Sequence, residues 1–176
     1  IYERKRSSAF NSSTKIRLKP FIASREEFFK GAILLENDSE YVIRDNLIFH
    51  TNIKYSIADN FDDLRFPPID TYPAQVRSDV KQYLKNIDKG ILLGRAQLDY
   101  FYTLKKNHHL MFSSGVLEDM FIGYGFEYLY YKYDTNFSFG LEVFDIKKRD
   151  YEWNLSTLDY ENVTAHINFY YRNYGL

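Results

Sequence analysis

From Leu92 to Lys105 the chain alternates: Leu92, Gly94, Ala96, Leu98, Tyr100, Tyr102 and Leu104 occupy one set of positions, and Leu93, Arg95, Gln97, Asp99, Phe101, Thr103 and Lys105 the other. A strand points successive side chains to opposite faces, so a period of two sustained this long requires a sheet whose faces meet different surroundings. The alternation recurs with Ile122, Tyr124, Phe126, Tyr128 and Tyr130 against Gly123, Gly125, Glu127, Leu129 and Tyr131. It recurs again with Phe137, Phe139, Leu141 and Val143 against Ser138, Gly140 and Glu142, and with Val163, Ala165, Ile167, Phe169 and Tyr171 against Thr164, His166, Asn168 and Tyr170. Weaker versions carry Leu47, Phe49, Ile53 and Tyr55, and Ile16, Leu18 and Ile22. The pattern predicts about eight strands, over residues 14–24, 28–43, 47–58, 90–105, 109–115, 121–132, 137–149 and 159–172.

The links between these segments are of two kinds. Arg44-Asp45-Asn46, Lys106-Asn107-His108 and Asp134-Thr135-Asn136 are tight turns of residues that tolerate unusual backbone angles. Asp59 to Lys89, Val116 to Met120 and Asp150 to Leu158 are longer, and short and long links alternate. Transmembrane β-barrels are built this way, with short turns at one membrane surface, longer loops at the other, and strands of about ten residues alternating apolar-out and polar-in. The expectation is an all-β chain: an antiparallel transmembrane β-barrel, or part of one, as a single domain over residues 1–176 with a long loop at 59–89. Within that loop, Gln75 to Leu84 sets Val76, Val80, Tyr83 and Leu84 at helical spacing, which predicts one short amphipathic helix. Phe66-Pro67-Pro68 ahead of it blocks strand continuation. Such a helix either packs with its own loop or lies as a lid or partial plug over a pore.

Charge narrows the function classes. The 23 Lys and Arg stand against 24 Asp and Glu, with no basic stripe of the kind nucleic acid requires, so no nucleic-acid partner is expected. No apolar run approaches the roughly 20 residues of a spanning helix, and with no cysteine neither a disulfide framework nor a thiolate metal site is available. The 17 Tyr and 15 Phe must therefore be interleaved with the charges. Beginning at Ile1, without an initiator Met or a signal-peptide pattern, the chain reads as mature, trimmed or a fragment.

Few residues point to chemistry. Glu118 and Asp119 are a carboxylate pair, but cleaving a glycosidic bond needs acids on opposite sides of it. Adjacent residues of extended backbone face apart, so this pair is expected to bond backbone amides at a loop end. His108 and His109 lie in a tight turn beside Lys106 without further ligands, so no metal site is expected. His166, between Thr164 and Asn168, is expected to be a buried, hydrogen-bonded histidine, and no Gly-x-Ser-x-Gly elbow accompanies it. No catalytic residue and no cofactor is expected. What remains is the polar set Arg95, Gln97, Asp99, Glu127, Glu142, His166 and Asn168, with Lys15, Arg17 and Lys19 upstream. In a barrel these line one interior that mixes both signs of charge with amides and rings. A hydroxyl-rich polysaccharide suits such a surface better than a small ion, whose pores favour rings of one sign. Alternatively, the same residues pair with one another across a packed lumen.

The stretch MFSSGVLEDMFIGYGFEYLYY, Met111 to Tyr131, followed by FSFGLEVFDIKKRDYEW and DYENVTAHINFYY, resembles the YjbH/GfcD family of outer-membrane proteins for exopolysaccharide and capsule biosynthesis. PAQVRSDVKQYL is similar to the family's segment upstream of these strands, and the likeness runs in order from Phe28 to Tyr171. Gly123 to Glu127 stands where the family has a more glycine-rich run, and Thr164-Ala165-His166 replaces a Thr-Gly-His, both departures adding bulk. The resemblance implies a β-barrel lipoprotein of the Gram-negative outer membrane that assists polysaccharide export without catalysis. Its implied partners are the polysaccharide, outer-membrane lipid and other envelope polysaccharide-export proteins. Family members are several times longer, so the chain reads as a piece of one. Two other classes stay open on the residues: a soluble carbohydrate-binding β-sandwich whose aromatic faces meet a second sheet, and an outer-membrane hydrolase acting on polymer or lipid.

Overall fold

The computed structural model describes residues 9–22, 29–62, 64, 79–152 and 154–172. They form strands β1 (Phe10–Phe21), β2 (Lys30–Arg44), β3 (Leu47–Asp59), β4 (Ile91–Lys105), β5 (His108–Glu118), β6 (Phe121–Tyr130), β7 (Phe137–Arg149) and β8 (Thr157–Tyr171). Between β3 and β4 lies helix α1 (Val80–Lys85), which runs into a 3-10 turn at Asn86–Lys89. All eight expected strands are present, β1 starting at Phe10 instead of residue 14. The expected helix is seen from Val80 onward, while residues 75–78 and Phe66-Pro67-Pro68 lie outside the described residues. Every strand pairs antiparallel with its neighbours in the chain, in one sheet ordered β1 to β8. Among the described residues β1 and β8 do not pair with each other, so both are edges.

The sheet is curled. Neighbouring strands sit about 4.8 Å apart, so a flat sheet would hold β1 roughly 19 Å from β5. Lys19 Nζ on β1 nevertheless lies 3.6 Å from Asp119 Oδ2 in the β5–β6 turn. The face bearing Lys19 is therefore the inside of the curl. Cross-strand register carries that face along the sheet through Asp38, Asn52 and Arg95, and further on through Glu127, Glu142 and His166. The opposite face looks outward with Tyr124 at 70% exposure, Val163 at 64%, Ile167 at 67% and Phe169 at 81%, and no second sheet covers it among the described residues. It is not apolar throughout. On β1 and β2, Ser12, Thr14, Asn37 and Ser39 form an outward ladder that satisfies itself, with Ser12 to Ser39 at 2.9 Å and Asn37 Nδ2 donating to Thr14 at 2.9 Å.

One face assignment is corrected by a bulge. Strict alternation put Leu92 on the outside with Leu98, but β3 pairs Asn52 with Arg95 and Ile53 with Leu93, leaving Gly94 without an opposite partner. The extra residue resets the phase. Leu92 turns inward, where it is 1% exposed. A Cβ on Gly94 would stand 2.2 Å from Asn52 Oδ1 and 2.9 Å from the end of the Lys54 side chain, so a larger residue at the bulge would have to push both side chains aside.

The apolar core lies inside the curl at the end with the long loops. Leu84 and Ile87, with Phe61 and Leu64 from the same connection, pack on Ala32, Leu34 and Leu92 of the sheet. Tyr83 packs beside Met120 and Phe121, flanked by Tyr151 and Tyr160. A helix of six residues is too short to hold itself together in water. Burial at roughly 1.5–3 kcal/mol per large apolar side chain is what keeps it: of the two alternatives, the helix packs with Phe61 and Leu64 of its own connection and on the sheet inside the curl.

Candidate functional site

Beyond that core the inner face is polar, and its charges are sorted. On the β1–β3 side they are paired: Lys15 Nζ lies 2.6 Å from Asp38 and Arg17 Nε 2.6 Å from Glu36. Asn52 Nδ2 donates to both carboxylates, at 2.8 and 2.5 Å. Lys54 and Lys19 converge on Asp119 at 2.5 and 3.6 Å. Here the structure departs from expectation, because the carboxylate of Asp119 meets two ammonium groups instead of backbone amides. Glu118 and Asp119 also line the same cavity of about 460 Å³. Alternation stops where β5 ends at Glu118, and Asp119 belongs to a turn.

The β4–β8 side is acidic. Asp99, 4% exposed, accepts from Ser113 Oγ at 2.6 Å and Gln97 Nε2 at 2.7 Å, with His50 Nε2 3.3 Å away. Glu127 stands opposite Glu142 in the register, and Glu142 accepts from Asn168 Nδ2 at 2.6 Å. Of the predicted set, Arg95, Gln97, Asp99, Glu127, Glu142, His166 and Asn168 thus share the inner face, but only Gln97 with Asp99 and Glu142 with Asn168 are bonded to each other. His166 is a correction: it is exposed rather than buried and bonded, because β8 is an edge strand whose inner face has a neighbour on one side only. His108 Nδ1 lies 2.7 Å from Tyr128 Oη and His109 Nδ1 3.1 Å from Thr103 Oγ1. Among the described residues no group of three or more His, Cys, Asp or Glu is disposed to hold a metal ion.

Comparison with known proteins gives the family. A family model described as exopolysaccharide biosynthesis protein YbjH, named YjbH, matches residues 1–175. The chain belongs to this family. It is 27% identical over 159 residues to the uncharacterized lipoprotein YjbH of Escherichia coli strain K12, a match covering 88% of this chain and 22% of that relative. The chain therefore spans about a fifth of the relative's length. No solved structure matches it.

Sequence reasoning missed how this YjbH-family chain fastens its helix. Tyr83 of α1 donates to the carbonyl of Arg149. Asp79, just before α1, accepts from Lys148 Nζ at 2.5 Å and from Tyr151 Oη at 2.7 Å, and Asn86 Nδ2 donates to the Tyr151 carbonyl at 2.6 Å. These contacts span more than sixty residues of chain, so no local signal marks them. Burial, then the charge of Asp79, pushes the Tyr83 phenol well above the ordinary 10.0; burial, then the hydrogen bond to Asp79, does the same for Tyr151. Both folded values lie above the unfolded one, so the contribution of the neutral phenols is complete below pH 10 and is lost as the pH rises beyond it. Limited proteolysis of the full-length protein is expected to open the 59–89 loop only in that alkaline range. The Tyr83→Phe, Tyr151→Phe double variant is expected to remove the pH dependence.

Proposed function

We propose that this chain forms part of an outer-membrane β-barrel that assists exopolysaccharide or capsule export across the Gram-negative outer membrane, without itself catalysing a reaction. On this reading the polymer meets the inner face, lipid meets the outer face, and other envelope export proteins complete the route. The observation that carries it is the inversion of a soluble protein's faces: charges and amides inside the curl, bare Tyr124, Val163, Ile167 and Phe169 outside. Dimensions support it. Val163 to Tyr171 spans eight residue steps on β8, about 27 Å along the strand at ~3.4 Å per residue and about 21 Å along the membrane normal at ~40° of tilt, near the ~25 Å apolar band of such barrels. At the long-loop end of β7 and β8 the outer face turns polar, with Lys147 and Glu161 paired at 3.3 Å. The similarity to a protein described as a lipoprotein supports an envelope location. A carbohydrate-binding sandwich would need a second sheet over the outer rings, and the described residues supply none.

Single cysteines along β4 of the full-length protein in cells, probed with a membrane-impermeant thiol reagent, test the lipid assignment. Positions 95, 97 and 99 are expected to react and 93, 98 and 100 to be protected, the Gly94 bulge moving the phase by one. Equal labelling of both sets would end the barrel reading. Deleting the gene is expected to lower secreted polymer, and unchanged secretion would end the export role.

A further inference from the structure

Inside the curl, between β4, β6, β7 and β8, lies a cavity of about 330 Å³ lined by Arg95, Gln97, Glu118, Glu127, Phe144 and Thr164 among others. Its size falls at the lower end of the ~300–1,000 Å³ typical of small-ligand pockets, which combine apolar or aromatic walls with a few placed polar groups. Two rings line it: Phe121, which is buried in the core beside Tyr83 and Met120, and the more open Phe144, whose position depends on a neighbour. Gly125 is its cross-strand partner, and a Cβ there would stand 2.5 Å from Phe144 Cε1 and 2.7 Å from Cδ1. The ring thus lies across the space that any side chain at 125 would fill. Phe144 is half-buried, which leaves part of its ring open to the cavity.

Three polar side chains around this ring, those of Arg95, Glu127 and Thr164, keep open hydrogen-bonding atoms. Lys15, Arg17, Lys19, Lys54 and Lys148 all face carboxylates within 4.0 Å. Arg95, by contrast, has one bond from Nε to the Leu117 carbonyl at 3.3 Å, and its terminal nitrogens are open. Among the described residues Glu127 and Thr164 make no side-chain hydrogen bond. An open guanidinium, an open carboxylate and an open hydroxyl around one ring complement a molecule with an apolar C–H face and a rim of hydroxyls, each a donor and an acceptor. Charge selects further. Glu118 and Glu127 line the cavity, and Glu142, directly opposite Glu127 in the register, and Asp99 add negative charge behind Glu127, so an acidic sugar would meet repulsion.

We propose that this cavity is a subsite for one uncharged pyranose unit of the polymer, stacked on Phe144 with its hydroxyls clasped by Arg95 and Glu127; naming a polymer unit rests on the export reading above. Binding at such a subsite is weak, since a transported chain must also leave.

The test uses the full-length protein in detergent. The probes are oligosaccharides from partial hydrolysis of the cells' own secreted polymer, split by anion exchange into neutral and acidic fractions, with binding followed by saturation-transfer NMR. The neutral fraction is expected to bind. Glu127→Gln should weaken it about tenfold, the scale of one lost hydrogen bond to a charged group, and Phe144→Leu by up to about tenfold through the lost stacking face. Gly125→Ala should do the same while removing no ligand-contacting group, because it displaces the ring. Heat-modifiable gel mobility confirms that each variant is folded. Binding of the neutral fraction unchanged in folded Phe144→Leu and Gly125→Ala, preference for the acidic fraction, or no binding by either fraction would overturn the subsite. Should the subsite fail while gene deletion still lowers secretion, the export reading stands; should deletion leave secretion unchanged, that reading fails whatever these variants do.

Discussion

Leu98→Arg is expected to destabilise the full-length protein by roughly 2–4 kcal/mol, whereas Gln97→Arg, one residue away on the same strand, is expected to be tolerated. Leu98 sits at the middle of β4, between Phe49 and Ser114, on the outward face. If that face meets hydrocarbon, an arginine near the bilayer midplane costs roughly 2–4 kcal/mol, a large part of the ~5–15 kcal/mol by which a folded protein is usually stable. Gln97 faces the inside of the curl, where its side chain already bonds Asp99 and a longer cation lies beside carboxylates. The urea midpoint of the refolded protein in lipid bilayers measures the difference. Similar midpoints for the two variants would mean that the outer face meets water or other protein, and the membrane assignment would go with it.

Arg149→Ala is expected to cost about 3 kcal/mol and to release the long-loop end of the sheet. Arg149 is 0% exposed. Its guanidinium donates to the carbonyls of Leu93 at 2.8 Å, Asp119 at 3.2 Å and Asn154 at 3.3 Å, tying β4, the β5–β6 turn and the β7–β8 loop together. Its own backbone holds the same junction, N–H donating to Met120 at 2.9 Å and carbonyl accepting from Tyr83. Truncation removes a buried guanidinium's three hydrogen bonds to part-buried carbonyls, at roughly 1 kcal/mol each. Lysine should recover only part of this, since a compact ammonium cannot reach three carbonyls arranged around a planar fork. Arg172→Ala serves as the control: Arg172 donates to Tyr131 Oη at 3.3 Å in exposed surroundings, where loss is worth a few tenths of a kcal/mol to about one. Denaturant midpoints of the three variants, with protease accessibility of the 59–89 loop, check the ranking.

Strand placement was legible because alternation is written residue by residue and needs no knowledge of partners. It failed at Gly94, where an unpaired residue shifts the phase and turns Leu92 inward. The polar set was legible as one face for the same reason, while its internal division was not. That Lys19 and Lys54 neutralise Asp119, that Glu127 faces Glu142, and that His166 stands exposed on an edge all depend on which strand lies beside which, and on how far the sheet curls. Phe144 was overlooked because its meaning comes from Gly125, nineteen positions away in the chain and directly opposite in the sheet.

By itself, then, the sequence determined an all-β chain of eight antiparallel strands with one polar and one largely apolar face, since a period of two is a local property of extended backbone. Its family likeness to exopolysaccharide biosynthesis proteins was also written there, and the family model matches. Only the tertiary structure decided which face is inside, that the helix lies within the curl, and which charges are spent on each other. Those outcomes follow from distances between residues far apart in the chain, such as Lys19 to Asp119 and Tyr83 to Arg149, and no local pattern encodes them.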